Sequence, residues 1–260
     1  MALFTDANVI TLDDLLEFES SLVQISSTHG IDVETKINLA VDGISDKLMI
    51  WLLKVGASDP QWSSRRALGL TTVVVTPTLH RWLCFDALAR FFAEAYNVQL
   101  NTRFQGKLAE YTGEASDAAE MVFASGIGIV ANPLPRPSIP SVTVTSGTAL
   151  PQPMFVQTVW VDRAGNESAP SAVNGVILPA ESSITVAMGQ DRGAAAPATA
   201  TGWNVYASSS QEQLMRQNSA PLALGAKWTL PTAGLSDGPI PAGGQQPDFF
   251  ITLSKQIQRG

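Results

Sequence analysis

The sequence predicts an α+β protein of two parts, an N-terminal all-α helical bundle followed by an all-β sandwich. Three observations predict it. Up to about residue 130 apolar side chains recur every three or four positions, and from about residue 141 they alternate every second position. Between the two regimes, "ANPLPRPSIPS" places Pro133, Pro135, Pro137 and Pro140 close together, a composition that favours extended backbone. The chain has 260 residues, 45% of them hydrophobic, enough for two separate cores.

The first helix is expected in "ITLDDLLEFESSLVQISS". Thr11 suits its N-cap, acidic residues fill the first turn, and Leu12, Leu15, Leu16, Leu22 and Val23 follow at helical spacing. "THG" at 28–30 ends it. A second helix is expected from about Asp32, with Ile37, Ala40, Val41, Ile44, Leu48 and Trp51/Leu52 as its stripe and Gly56 closing it. A polar loop, "ASDPQWSSRRALGL", follows. The third helix opens with Thr76 as cap and Pro77 in the first turn, and buries Leu79, Leu83, Leu88, Phe91, Phe92 and Ala95. The fourth begins near Asn101 and carries Phe104, Leu108, Tyr111, Ala115, Ala118/Ala119 and Val122 at spacings of three or four.

The domain boundaries expected are 1–132 for the helical part, 133–140 for a proline-rich linker or elbow, 141–248 for the sandwich and 249–260 for a C-terminal arm or last strand. Short strands are expected at "SVTVTSG", "MFVQTVWVD", "AVNGVIL", "SITVAMG", "GWNVYAS" and "AKWTL", separated by turn signals. In the longest, Phe155, Gln157, Val159 and Val161 fall on one face and Val156, Thr158, Trp160 and Asp162 on the other. "DRGAAAPATA" at 191–200 reads as a hairpin tip or loop. The tail "DFFITLSKQIQRG" alternates again, with Phe249, Ile251, Leu253 and Ile257 on one side.

Composition narrows the function. The net charge is −7, and 16 Lys and Arg stand against 23 Asp and Glu. That balance opposes nonspecific binding to nucleic acid or to an anionic membrane. No segment offers the roughly 20 apolar residues that span a bilayer, and the N-terminus lacks the basic region of a signal peptide. The single cysteine, Cys84, lies in an apolar helical run and reads as a buried small hydrophobe.

Little in the sequence reads as chemistry. His29 and His80 lack acidic or thiol neighbours at metal-ligand spacing. Gly126-x-Gly128 lacks the third glycine and preceding strand of a dinucleotide fingerprint, and reads as a helix C-terminus. Asp13, Asp14, Glu17 and Glu19 form an acidic cluster that reads as a solvated helix face, with a cation or acid–base role as the alternative. Asn166-Glu167-Ser168 matches a glycosylation acceptor without any sign of a secretory route. Arg65 and Arg66 stand in a Trp62-containing loop and are candidates for contact with an acidic partner. No catalytic residue, metal site or cofactor site is expected, so the chain reads as a binding or structural protein rather than an enzyme.

Particular residues resemble known families. Val159-Trp160-Val161, the turn Asp162 to Asn166, and Glu167-Ser168-Ala169-Pro170-Ser171 are similar to a strand exit in fibronectin type III and immunoglobulin-like sandwiches. "GWNVYAS" at 202–208 is similar to the central strand of such domains. With the following "LGAKWTLP", it also resembles sandwich modules appended to virion proteins of tailed bacteriophages. In the first half, Thr11-Leu12-Asp13-Asp14-Leu15 resembles the opening helix of head–tail connector (adaptor) proteins of long-tailed phages. The chain departs from the common connector by carrying a sandwich at all.

The resemblance implies a structural virion protein at the neck: a homo-oligomeric ring, typically a dodecamer, beneath the portal protein and above tail, stopper or terminator proteins. It implies helices in the ring wall, an outward sandwich, and double-stranded DNA that passes without specific binding. Residues 1–137 carry sixteen Asp and Glu against ten Lys and Arg, and a negative wall repels phosphates. It also implies manufacture in the host cytoplasm and no membrane contact. Phe249, Ile251 and Leu253 are candidate docking residues, either in the last strand of the sandwich or in an arm that adds a strand to a neighbour or to the portal. The alternative functional class is another virion component, in tail, baseplate or capsid decoration, whose sandwich binds a surface or a glycan. A cellular enzyme or adhesin with an accessory sandwich is the third.

Overall fold

A computed structural model of the chain describes residues 1–58, 69–99, 102–189 and 196–252. Its helices are α1 (Leu12–Phe18), α2 (Leu22–His29), α3 (Val33–Ser58), α4 (Pro77–Gln99) and α5 (Gln105–Ser125). Its strands are β1 (Ile127–Ile129), β2 (Ser138–Ala149), β3 (Gln152–Asp162), β4 (Asn174–Leu178), β5 (Ser182–Gly189), β6 (Ala200–Ser208), β7 (Met215–Arg216), β8 (Trp228–Thr229) and β9 (Phe249–Ile251). An N-terminal helical region followed by antiparallel sheets is the fold class the periodicity predicts.

The chain forms two compact units that do not divide it at a single point. The helical unit comprises Ala7–Ile129 and the C-terminal residues from Pro247 onward; the β unit comprises Met1–Asp6 and Val130–Gln246.

In the helical unit, local chemistry sets most helix ends. Thr11 caps α1 in a reciprocal pair: its hydroxyl accepts from Asp14 N, and the Asp14 carboxylate accepts from Thr11 N at 2.6 Å. Gly30 ends α2 at φ +67, a backbone shape glycine adopts without strain. Asp32 caps α3 by accepting from Glu34 N at 3.0 Å, and Leu79 N donates to the Thr76 hydroxyl at the start of α4. The core gathers Leu15, Leu22, Ile44, Leu48, Leu52, Leu79, Trp82, Leu83, Phe91 and Phe92, all at most 2% exposed. Buried residues of α4 point in nearly every direction, including Cys84, Phe85, Ala87 and Leu88, so this helix runs through the middle of the unit. The Phe92 and Tyr111 rings stack across α4 and α5 with centroids 5.4 Å apart.

Three details differ from the sequence reading. The single first helix is two, because the chain breaks at Glu19, whose carboxylate is held by partners on α5 described below. Helix α3 continues past Gly56 to Ser58, since buried Trp51, Leu52 and Val55 anchor its last turns against a glycine cost of roughly 1 kcal/mol. The segment after Gly126 is not only a helix end: Ile127–Ile129 is a strand, paired antiparallel with Phe249–Ile251 and bridged through Ile129 to Val73.

The β unit is a sandwich of two antiparallel sheets, ordered β4-β3-β6-β7 and β2-β5-β8. The facing sides share one core: Met154, Val156, Trp160, Leu178, Trp203 and Val205 meet Ile184, Val186, Met188 and Trp228. Trp160 and Trp203 are direct cross-strand partners. The other face of β3 and β6 buries Val159, Val161, Tyr206 and Leu214 in a smaller cluster. Both faces named in the sequence alternation are therefore covered.

The turn at 162–166 is built by Asp162, whose carboxylate accepts from Ala164 N, Asn166 N and Asn166 Nδ2, while Gly165 sits at φ +87. "ESAPS" then runs beside β3 where β4 has not yet begun: Ser168 N donates to Trp160 O and Ser171 N to Thr158 O. Within the proline run, Leu134 is fully buried in the sandwich core, its N–H donates to Gln245 Oε1, and β2 starts at Ser138. Leu3 and Phe4 are buried, and the Asp6 carboxylate accepts from both Leu3 N and Arg136 N at 2.8 Å, which fixes the first residues in this unit. Burial pushes the Asp6 carboxyl above its usual range despite those two donors.

Candidate functional site

Phe249 and Ile251 lie in β9, which pairs within the helical unit and not with the sandwich. Ile127 faces Ile251, Gly128 faces Phe250, and Ile129 faces Phe249. Ile251 is 1% exposed, while Phe250 is 53% exposed. The two glycines of Gly126-x-Gly128 explain themselves here. A Cβ on Gly126 would stand 2.8 Å from Ile251 O, and one on Gly128 would stand 2.8 Å from Pro247 Cγ. They make a close seat for the C-terminal strand, a role that spacing alone could not disclose because the partner is more than a hundred residues away. Leu253, Arg65 and Arg66 lie outside the described residues, as do 191–195 of the expected hairpin tip.

The acidic cluster divides into separate roles. Asp14 caps α1, and one of its oxygens lies 3.4 Å from His80 Nε2. Glu19, read as a solvated residue, is 8% exposed. Ser21 Oγ donates to it at 2.5 Å, Tyr111 OH at 3.1 Å, and Lys107 Nζ lies 3.1 Å away. Burial pushes the Glu19 carboxyl up, but the hydrogen bonds from Ser21, Lys107 and Tyr111 outweigh it and hold the group below its usual range. Burial, with the Glu19 charge beside it, pushes the Tyr111 phenol up to about 12.

His29 packs edge-on against the Phe104 ring, with centroids 5.6 Å apart. Cys84 is buried with its sulfur 3.9 Å from His80 Nδ1. Burial, reinforced by the charges of Asp14 and Glu17, pushes its thiol up to about 12. Among the described residues no group of three or more His, Cys, Asp or Glu is arranged to hold a metal ion. None of their helices is long and apolar enough to cross a membrane. In the Asn166-Glu167-Ser168 triplet the hydroxyl of Ser168 is fully buried and accepts from Trp160 N, so it serves the fold.

A polar network that the sequence reading missed lies on the outer face of the four-stranded sheet. Glu167 accepts from Tyr206 OH at 2.8 Å and from Asn204 Nδ2 at 2.6 Å, and Asn218 Nδ2 donates to Asn204 Oδ1 at 2.7 Å. Burial raises the Tyr206 phenol, helped by Glu167. The members bond to one another and pin "ESAPS" to β6, which suits a structural fastening.

Among the described residues, surfaces that suit contact with a partner include the outer side of α3 and one end of the sandwich. Helix α3 presents Met49, Ile50 and Leu53 outward, Leu53 at 65% exposure, opposite its buried Leu48, Trp51 and Leu52. At one end of the sandwich a cleft of about 400 Å³ is lined by uncharged residues, among them Ser146, Thr148, Leu150, Gln152 and Thr232.

No family model and no curated protein sequence matches the chain.

Proposed function

We propose that the chain is a structural virion protein of a tailed bacteriophage, a head–tail connector whose copies form a closed ring beneath the portal. The observation that carries the assembly is the outward apolar face of α3. A surface helix typically turns polar residues outward, and here Ile50 and Leu53, one turn apart, are 54% and 65% exposed. A heterologous contact between neighbours would cover them, as ring closure requires. The resemblance of Thr11 to Leu15 to a connector opening and of the second half to phage sandwich modules supplies the particle. The acidic helical half suits a wall that DNA passes without adhering. Tail, stopper or terminator proteins are the expected neighbours on the other side.

Negative-stain imaging of the purified protein tests this. Rings are expected, and Leu53→Asp should convert them to monomers that keep the helical content of the wild-type chain. A wild-type chain that stays monomeric at every concentration, and with purified portal present, would remove the reading. The uncharged cleft at the end of the sandwich favours the second reading, a surface- or glycan-binding virion component. A glycan array with the wild-type chain checks that reading.

A further inference from the structure

Strand β2 is the outer strand of its sheet: β5 pairs with one side, and among the described residues no strand pairs with the other. It is 12 residues long and carries no charged side chain. Proteins blunt such edges with charge, proline or bulges, because an open row of backbone groups accepts another strand. Here those devices sit only at the ends. Pro140 is near the start, and the register shifts between Ser138 and Ser141 and again between Ser146 and Ala149. Ser141 to Ser146 is regular and unguarded, and its exposure runs unbroken from Thr143 to Ser146.

The core stops short at the same place. Val144 lies opposite Ile184, which is fully buried in the sandwich core, yet Val144 is 44% exposed. On the same flank, β4 ends the other sheet and is tied to β2 by Asn174 Nδ2 donating to Pro140 O at 2.8 Å. A further strand beside β2 would satisfy the open backbone groups and cover Val144 together.

We propose that this edge is a strand-addition surface and that its occupant is β2 of a second copy of the chain, paired antiparallel about Thr143. In that register Thr143 meets Thr143, Val142 meets Val144, and Ser141 meets Thr145. The valines fall on the core side of both copies and extend one apolar layer across the junction, and the β-branched pairs suit an extended sheet. Charge selects this stretch. A net charge of −7 opposes self-association over most of the surface, but Ser141 to Ser146 sets no like charges opposite each other. The contact lies wholly in the β unit and does not depend on ring formation by the helical unit.

The two-fold register makes the test specific. Thr143 is exposed, so its substitution leaves the fold intact. Directly opposed residues of an antiparallel pair have Cα atoms about 4.5–5.5 Å apart, a separation that admits a disulfide. In the full chain, Thr143→Cys should therefore form a covalent dimer under mild oxidation at least about tenfold faster than Ser209→Cys, an exposed control. Thr143→Lys and Thr143→Glu chains should each lose the dimer alone and recover it when mixed, seen by native mass spectrometry with one partner isotope-labelled. Crosslinking of Thr143→Cys no faster than the control, or Lys and Glu variants that show no preference for each other, would overturn the proposal. Ring images of the same variants report separately on the helical unit.

Discussion

The Glu19 carboxylate and the Tyr111 hydroxyl meet at 3.1 Å across 92 residues of sequence. This contact joins the break between α1 and α2 to the middle of α5, and Lys107 one turn earlier on α5 adds its charge. The helix breaks where it does because a carboxylate with three donors is more stable there than one more helical turn facing an apolar core. Glu19→Gln should destabilise the helical unit by about 1–3 kcal/mol, and Tyr111→Phe by about 1 kcal/mol, since Lys107 and Ser21 remain. The pH dependence follows from the direction of the shift. The folded-state carboxyl titrates below its unfolded value, so its contribution is complete above the ordinary glutamate range and disappears as pH falls through the lower, folded value. Chemical denaturation of wild type and Glu19→Gln between neutral pH and pH 3 should show the gap between them narrowing on the acid side. A gap that is constant with pH would refute the assignment.

Thr158 is fully buried in the central strand β3, and its Oγ1 has no hydrogen-bond partner among the described residues. A buried hydroxyl without a partner keeps its desolvation cost with no return. Thr158→Val keeps the shape and removes that cost, so it should be neutral or stabilise the β unit by about 1 kcal/mol. The reverse exchange on the same face, Val156→Thr, should destabilise. Thermal melts of the two variants against wild type check the pair of signs.

The local part of this fold is legible in the sequence, and the distant part is not. The cap at Thr11, the start of α4 at Thr76-Pro77, the turn at Asp162 to Asn166 and the strand around Trp203 depend on neighbours within a few residues, and each stands where the pattern puts it. Glu19 looks like any acidic residue in an exposed helix, because nothing nearby in sequence announces Tyr111 and Lys107. Gly126 and Gly128 look like a loose helix end, because their reason is Pro247 and Ile251. Leu134 looks like linker, because its donor–acceptor partner Gln245 lies 111 residues on. The candidate surfaces share this property. The apolar stripe of α3 is visible as periodicity, but only packing tells which of its apolar residues face outward.

Cys84 should be chemically silent. Its thiol is buried and pushed up to about 12, so the thiolate that reacts is almost absent at neutral pH. An aromatic disulfide reagent should leave the native chain unlabelled and modify one thiol per chain once denaturant is added. Labelling of the native protein on the time scale of an exposed cysteine would mean that α4 opens locally, and the expected packing around Leu83 and Phe85 would then be wrong.

The seat of the C-terminal strand offers the last test, because it depends on atoms that are missing from two glycines. Gly126 has φ +94, which L side chains rarely adopt, and its added Cβ would press on Ile251 O at 2.8 Å. Gly128 has no such constraint on φ, but its added Cβ would meet Pro247 Cγ at 2.8 Å and Thr76 Cγ2 at 3.1 Å. Neither neighbour is the end of a flexible side chain, so the contact must open. Gly128→Val should therefore displace β9 from β1, expose Ile251 and leave the helices folded. Strain and lost burial together should cost about 2–4 kcal/mol. Hydrogen exchange reads the outcome directly: the amide of Asp248, which donates to Ile129 O at 2.9 Å, should lose protection. Amides in the sandwich strands β3 and β6 should not change. Truncation after Pro247 removes the strand and the Asp248 amide with it, and should likewise leave the amides of β3 and β6 unchanged. If either variant instead melts the sandwich and spares the helical unit, the strand belongs to the β unit and its pairing with Ile127–Ile129 is refuted.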